Sequence, residues 1–172
     1  MKKQKYLVFI TLFLAFLIIG VLVYGFLPKP KLKAKLGEAD FSSFSISDTT
    51  IIDGQWQVYY DQLIAHDNID IEGLPYEYVH LPSQNALKFT KFGYASYRVV
   101  LKNVPINEDI MIILNGITGG YNLYLNRSLV YTNNKLMKGD QSIKHDLIYD
   151  PYFNTSDVLE IIIEISNYDY SF

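Results

Sequence analysis

The chain has 172 residues, about one domain's worth of polypeptide. Charged residues make up 19% and hydrophobic residues 49%, which excludes a disordered polar tail; the absence of cysteine excludes a disulfide scaffold, a thiolate metal centre and a cysteine nucleophile. The formal net charge of −3 conceals a segregation. Lys2, Lys3 and Lys5 precede an apolar block, Lys29, Lys31, Lys33 and Lys35 follow it, and all 18 acidic residues lie at or beyond Glu38. From Leu36 onward eight basic residues face those acidic ones, a net of −10 that repels phosphate backbones and argues against nucleic-acid binding.

Residues 1–5 form a short basic tail. Residues 6–27 (YLVFITLFLAFLIIGVLVYGFL) carry no charge. At about 1.5 Å per residue, a helix of that length reaches across a hydrocarbon core of about 30 Å. Tyr6 and Tyr24 stand near its ends, where interfacial aromatics are common. The apolar run is longer than that of a secretory leader and has no closely following small-residue cleavage site, so an uncleaved anchor is expected. A basic N-terminus ahead of a first span stays in the cytoplasm, which puts the rest of the chain on the outer side of a cell membrane as a single-pass protein; the lysines on both sides make this a near tie by charge. The lipid bilayer is thus an expected partner, with lysines at both ends of the block to meet anionic headgroups.

Pro28 and Pro30 stop the helix, and residues 28–50 read as a basic and Ser/Thr-rich linker. Beyond it the period is two. Over residues 94–102, Tyr97, Val99 and Leu101 share one face, with Arg98, Val100 and Lys102 on the other. Pro105 marks a turn, and residues 109–114 (DIMIIL) predict a short core strand. Residues 121–125 alternate and pass through Asn126-Arg127-Ser128 into Leu129-Val130-Tyr131, a hairpin signal. Residues 158–165 (VLEIIIEI) predict a last strand, with Glu160, Ile162 and Glu164 on one face. Short strands separated by turn residues indicate an all-β sandwich over residues 51–172.

Landmarks in fixed order carry a resemblance. Asp53-Gly54-Gln55-Trp56 opens a strand, Leu81-Pro82-Ser83 precedes a loop, Gly93-Tyr94-Ala95-Ser96-Tyr97-Arg98 begins the long alternating strand, Tyr121 to Asn126 precedes the hairpin, and Ile165-Ser166-Asn167 ends the final run. This series resembles the galactose-binding-like jelly roll of the sugar-binding domains of family-2 glycoside hydrolases. It is still more similar to the extracytoplasmic N-terminal module of bacterial seven-transmembrane receptors with diverse intracellular signalling modules, which include histidine kinases and nucleotide cyclases. The resemblance implies a jelly-roll sandwich behind one transmembrane helix, serving as the ligand-sensing module of a membrane signal-transduction receptor and having no catalysis in this chain. Its alternatives are a carbohydrate-binding accessory domain of a hydrolase and an envelope protein-interaction domain. Such sandwiches run past the Ser-Asn landmark into a further strand, so the domain is expected to lack its last one. Asp53, Gly54, Trp56, Pro82, Tyr97, Ser166 and Asn167 are the fold landmarks, Gly54 for a turn and Trp56 for the core.

Thirteen tyrosines lie in the body, among them Tyr60, Tyr76, Tyr78, Tyr149 and Tyr152. Aromatic faces stack on sugar rings and their hydroxyls hydrogen-bond, so a glycan or another small ligand is the expected partner, alongside a membrane signalling domain. The candidate ligand contacts are Tyr59, Tyr94, Arg98, Tyr124 and Asn126. Arg98 is suited to hold an acidic partner or a carbonyl, and Asn126 tolerates a left-handed backbone. His66, His80 and His145 lack metal-ligand spacing, and His145-Asp146 near Ser142 lacks a nucleophile elbow. Asp67 to Gly73 reads as a solvated loop rather than a calcium loop, and GITGG at 116–120 as a turn. No metal, cofactor or catalytic residue is expected.

Overall fold

The structure is a computed structural model. It describes residues 2–25, 30–45, 50–82, 93–114, 117, 119–133, 135–138, 141–142 and 152–167. His145 and Tyr149 fall outside these residues, as do Ser83 and Gly116. The chain divides into two units, Met1–Pro30 and Lys31–Phe172.

The first unit contains α1 (Lys2–Gly25), 24 residues long. Its described side chains, Tyr6 and residues 9–20, are exposed. Among the described residues no helix is both long and apolar enough to cross a membrane.

The second unit is all β. Its strands are β1 (Lys31–Ala34), β2 (Glu38–Asp40), β3 (Ile51–Tyr60), β4 (Glu77–Leu81), β5 (Tyr94–Lys102), β6 (Glu108–Ile110), β7 (Gly120–Leu125), β8 (Ser128–Thr132), β9 (Met137–Lys138), β10 (Gln141–Ser142), β11 (Tyr152–Asn154) and β12 (Val158–Ser166). Among the described residues, eight of them form one mixed sheet in the order β1-β3-β5-β12-β7-β8, with β2 added on β5 and β4 on β3. β6 with β11, and β9 with β10, make two-stranded ribbons. The expected strands at 94–102, 121–125, 129–131 and 158–165 are all present.

β12 lies at the centre, paired with β5 along its whole length and with β7 over residues 161–166. A strand flanked on both edges and covered on both faces needs apolar side chains facing both ways, which is why VLEIIIEI is nearly continuous in its hydrophobicity. On the first face Trp56, Val58, Tyr97, Val99, Leu123, Ile161 and Ile163 build the main core. Ile110 and Tyr152 of the β6–β11 ribbon pack against it, as do Ile112 and Leu114. On the second face Tyr59, Tyr124 and Ile162 meet Ile64 and Ala65 of the loop at 61–76.

Two expectations are corrected. The stretch 28–50 is not a tether throughout, because β1 and β2 form a hairpin belonging to the sheet. β3 and β5 pair only at residues 57–60 and 95–98. Where they part, β1 pairs in parallel with Ile51 to Gly54 and β2 in parallel with Val100 to Lys102. At the apex the Gly37 amide donates to Gln55 O and Gly37 O accepts from the Val100 amide, so the hairpin fills the gap. Leu32, Ala34, Ala39 and Phe41 are buried there; the alternation of lysines with these apolar residues is an edge-strand pattern. The second correction concerns 109–114. Only Glu108–Ile110 is strand, paired with β11, and Met111 and Ile113 are exposed while Ile110, Ile112 and Leu114 point to the core.

Backbone chemistry fixes the turns. Asn126 and Arg127 have φ of 46° and 63°, the left-handed pair of a two-residue hairpin between β7 and β8. Gly54 marks no turn. It sits inside β3 at φ 140°, where a Cβ would lie 2.1 Å from Ala34 O. Glycine is there because β1 approaches too closely for any side chain.

Candidate functional site

Strand alternation carries Gln57 and Tyr59 of β3, Arg98 of β5 and Glu160 of β12 to the second face. Gln57 lies opposite Arg98 across the β3–β5 pairing and opposite Tyr78 across β3–β4. Gln57 Oε1 accepts from Arg98 Nη1 at 2.6 Å and from the Tyr59 hydroxyl at 3.3 Å. Arg98 Nε donates to Glu160 Oε1 at 2.5 Å. The other oxygen of Glu160 lies 3.4 Å from Arg127 Nε. Arg127 Nη1 in turn donates to Ile64 O and Ile69 O, which ties the loop at 61–76 to the hairpin turn.

Beside this network stand two open rings. Tyr76 and Tyr78 are 45% and 38% exposed, with centroids 5.3 Å apart in an edge-on arrangement. Their hydroxyls are 3.4 Å apart. Tyr76 also lies 5.7 Å from the buried ring of Tyr59. Burial raises the Tyr59 hydroxyl pKa, with the Arg98 guanidinium opposing the shift. The Tyr78 hydroxyl is raised chiefly by its hydrogen bond to Tyr76. Tyr59 and Tyr78 therefore stay neutral and serve as hydrogen-bond groups. The result is an aromatic ledge continuous with two guanidiniums that share one carboxylate.

The candidate ligand contacts named from sequence divide. Arg98 is engaged within the sheet, with Glu160 Oε1 and Gln57 Oε1 accepting from it. Tyr59 and Tyr124 are buried, so their ring faces are withdrawn beneath the loop. Tyr94 is half-buried against Leu63 and Leu136. Asn126 spends its side chain on the fold, with Oδ1 accepting from the Glu160 amide and Nδ2 donating to the Tyr152 hydroxyl, both at 2.8 Å. Gln57, Glu160 and Arg127 were not singled out as contacts; the usable signal was a carboxylate placed inside the apolar run of β12.

Among the landmarks, Trp56, Tyr97 and Ser166 are buried. The Asn167 amide donates to Gly93 O, and Pro82 follows a cis peptide bond. Asp53 is a hub on the first part of β3. Its carboxylate accepts from Lys33 Nζ at 2.7 Å and lies 3.3 Å from Lys31 Nζ and 2.9 Å from His80 Nε2. Lys33 pulls its pKa down to about 2; burial opposes the shift, while Lys31 and His80 add to it. In the loop at 61–76, Asp67 pairs with Lys138 and Asp70 Oδ1 accepts from the Glu72 amide. Among the described residues no group of three or more His, Asp or Glu is placed to hold a metal ion.

The second unit thus belongs to the class of sandwich-like all-β domains. Among solved structures it is similar to the β-glucuronidase of Ruminococcus gnavus, with 19% identity and a TM-score of 0.45 over 67% of this chain and 20% of that one. The same enzyme in complex with C6-substituted uronic isofagomine gives 19% and 0.45 over 67% and 21%. The chain spans about one fifth of that enzyme's length. No protein-family model and no curated protein matches it.

Proposed function

We propose that the second unit is a galactose-binding-like jelly roll that binds carbohydrate without catalysis. The observation that carries this reading is the Tyr76–Tyr78 ledge joined to the Gln57–Arg98–Glu160–Arg127 network. The C–H face of a pyranose packs on an exposed aromatic ring, while its hydroxyls need fixed donors and acceptors at the rim. Glu160, held by two guanidiniums, is an orienting acceptor rather than a proton-transfer group. A glycan-array screen of the full chain in detergent tests the reading. Saturable binding, weakened about tenfold or more by Tyr76→Ala or Tyr78→Ala, each such factor being about 1.4 kcal/mol, is expected. Absence of glycan binding, or binding indifferent to both substitutions, overturns it.

On the same reading residues 6–27 are a membrane anchor, with the N-terminus cytoplasmic and the β unit outside the cell. The support is a helical backbone of 24 residues, about 36 Å long, over an uncharged stretch with lysines at each end. A tethered ligand-binding domain also suits the input side of a signalling receptor, and α1 is the observation that favours this second reading. Resistance to alkaline extraction from membranes, with the β unit open to external protease, is expected; release into the soluble fraction, or protection of the β unit, counts against it.

A further inference from the structure

A row of polar side chains crosses the second face of the sheet under the loop at 61–76. Ser96, Glu164 and Asn122 are register partners across β5, β12 and β7, and Thr132 follows on β8. All four are buried. Glu164 and Asn122 are direct cross-strand partners with side chains on the same face. Glu164 Oε1 accepts from the amides of Ala65 at 2.8 Å and His66 at 3.0 Å, pinning the loop to the sheet. Among the described residues neither Glu164 Oε2 nor Asn122 Oδ1 has a hydrogen-bond partner within normal distance, although the Tyr124 hydroxyl is near enough to Glu164 to favour its ionised form. Two buried acceptors on cross-strand partners, each left without a donor, are costly.

We propose that Glu164 is protonated in the folded protein, with Oε2–H donating to Asn122 Oδ1 while Oε1 keeps the two loop amides, so that the carboxyl works as a proton-operated latch on the loop. The proton comes from solvent as the chain folds and returns to it when the latch ionises. One proton satisfies both acceptors at once, and Asn122 Nδ2 remains free to donate to the Tyr124 hydroxyl.

The surroundings agree. Burial favours the neutral acid, and the Asp67 carboxylate adds to that, while the amides of His66 and Ala65 and the Tyr124 hydroxyl oppose it. Among the described residues, Lys138 of β9, held by Asp67 and next to Tyr94 at the start of β5, also lies within electrostatic reach of Glu164. Because the fold retains this proton at a pH where the unfolded chain has lost it, the latch weakens as pH rises above the ordinary carboxylate range. The loop it holds ends at Tyr76, so the latch is independent of what the ledge binds but underlies it.

The experiment is a carboxyl carbon NMR titration of the full chain in detergent, combined with hydrogen exchange. Glu164 is expected to titrate above the ordinary carboxylate range. Asn122→Leu, which keeps the side chain's size and removes the acceptor, is expected to lower that midpoint. Protection of the Ala65 and His66 amides, corrected for intrinsic rates, is expected to fall about tenfold or more across the transition. In Glu164→Gln, whose amide replaces the O–H donor, protection is expected to stay level. An ordinary or lowered midpoint overturns the proposal. So does an upward shift in Asn122→Leu, which would mean that the Asn122 amide donates to an ionised Glu164.

Discussion

Arg98 and Glu160 sit diagonally across neighbouring strands. Arg98 lies opposite Ile162 and Glu160 opposite Val100, yet Nε and Oε1 meet at 2.5 Å with the side chains only 17% and 15% exposed. The pair also carries Gln57 on one side and Arg127 on the other, so it couples β3, β5, β12 and the β7–β8 turn.

A half-buried pair of this kind costs more to break than it contributes when whole. Glu160→Ala is expected to destabilise the protein by about 2–4 kcal/mol, because Arg98 and Arg127 lose their shared counterion. The double variant Arg98→Met with Glu160→Leu is expected to recover most of that loss. Chemical denaturation of the two variants beside the wild type measures both.

Leu36 and Gly37 form the tip of the β1–β2 hairpin with φ of 51° and 78°. Leucine is strained there, and at 54% exposure it gains little from burial. Leu36→Asn is expected to raise stability by about 0.5–1 kcal/mol, since asparagine accepts the left-handed backbone. A rise in the thermal midpoint checks this.

Gly54 and Gly73 separate two reasons for keeping glycine. Gly54→Ala is expected to cost at least about 3 kcal/mol, because the new Cβ would collide with Ala34 O and push β1 off β3. At Gly73 nothing lies within 4 Å, but φ is 78°. Gly73→Ala is expected to cost only about 1 kcal/mol, from backbone strain alone. Equal losses at the two positions would contradict the close strand approach.

Asp53 sets an acid limit. Its folded pKa of about 2 lies below the ordinary 3.8, so the paired carboxylate stabilises the fold above about 3.8, and that contribution disappears as pH falls toward about 2. Denaturant midpoints measured between pH 5 and 2 are expected to fall less steeply in Asp53→Asn than in the wild type.

Strong local signals made much of the fold legible. β5, β7, β8 and β12 follow from alternation and from Asn126-Arg127, because each pattern lies within a few residues of chain. The β1–β2 hairpin was hidden because Leu36-Gly37 lacks the usual Asn-Gly signature, and because its strands pair in parallel with β3 and β5, a relation no local window contains. Gly54 misled for the same reason, since its constraint comes from Ala34 in another strand. The ledge was half legible. Tyrosine abundance pointed to aromatic contacts, but only the register tells that Tyr76 and Tyr78 face outward while Tyr59 and Tyr124 are sealed beneath the loop.

Composition and order alone determined the apolar N-terminal block, the acidic body, the lack of thiol chemistry and the β character of the domain, because these depend on side-chain identity and short-range period. Tertiary structure alone decided that one carboxylate would serve two arginines and another would lie buried against an asparagine. Glu160 and Glu164 are four residues apart on one face of one strand, and nothing local distinguishes them. Their neighbours do: guanidiniums reach the first, while loop amides and the buried face of the sheet enclose the second.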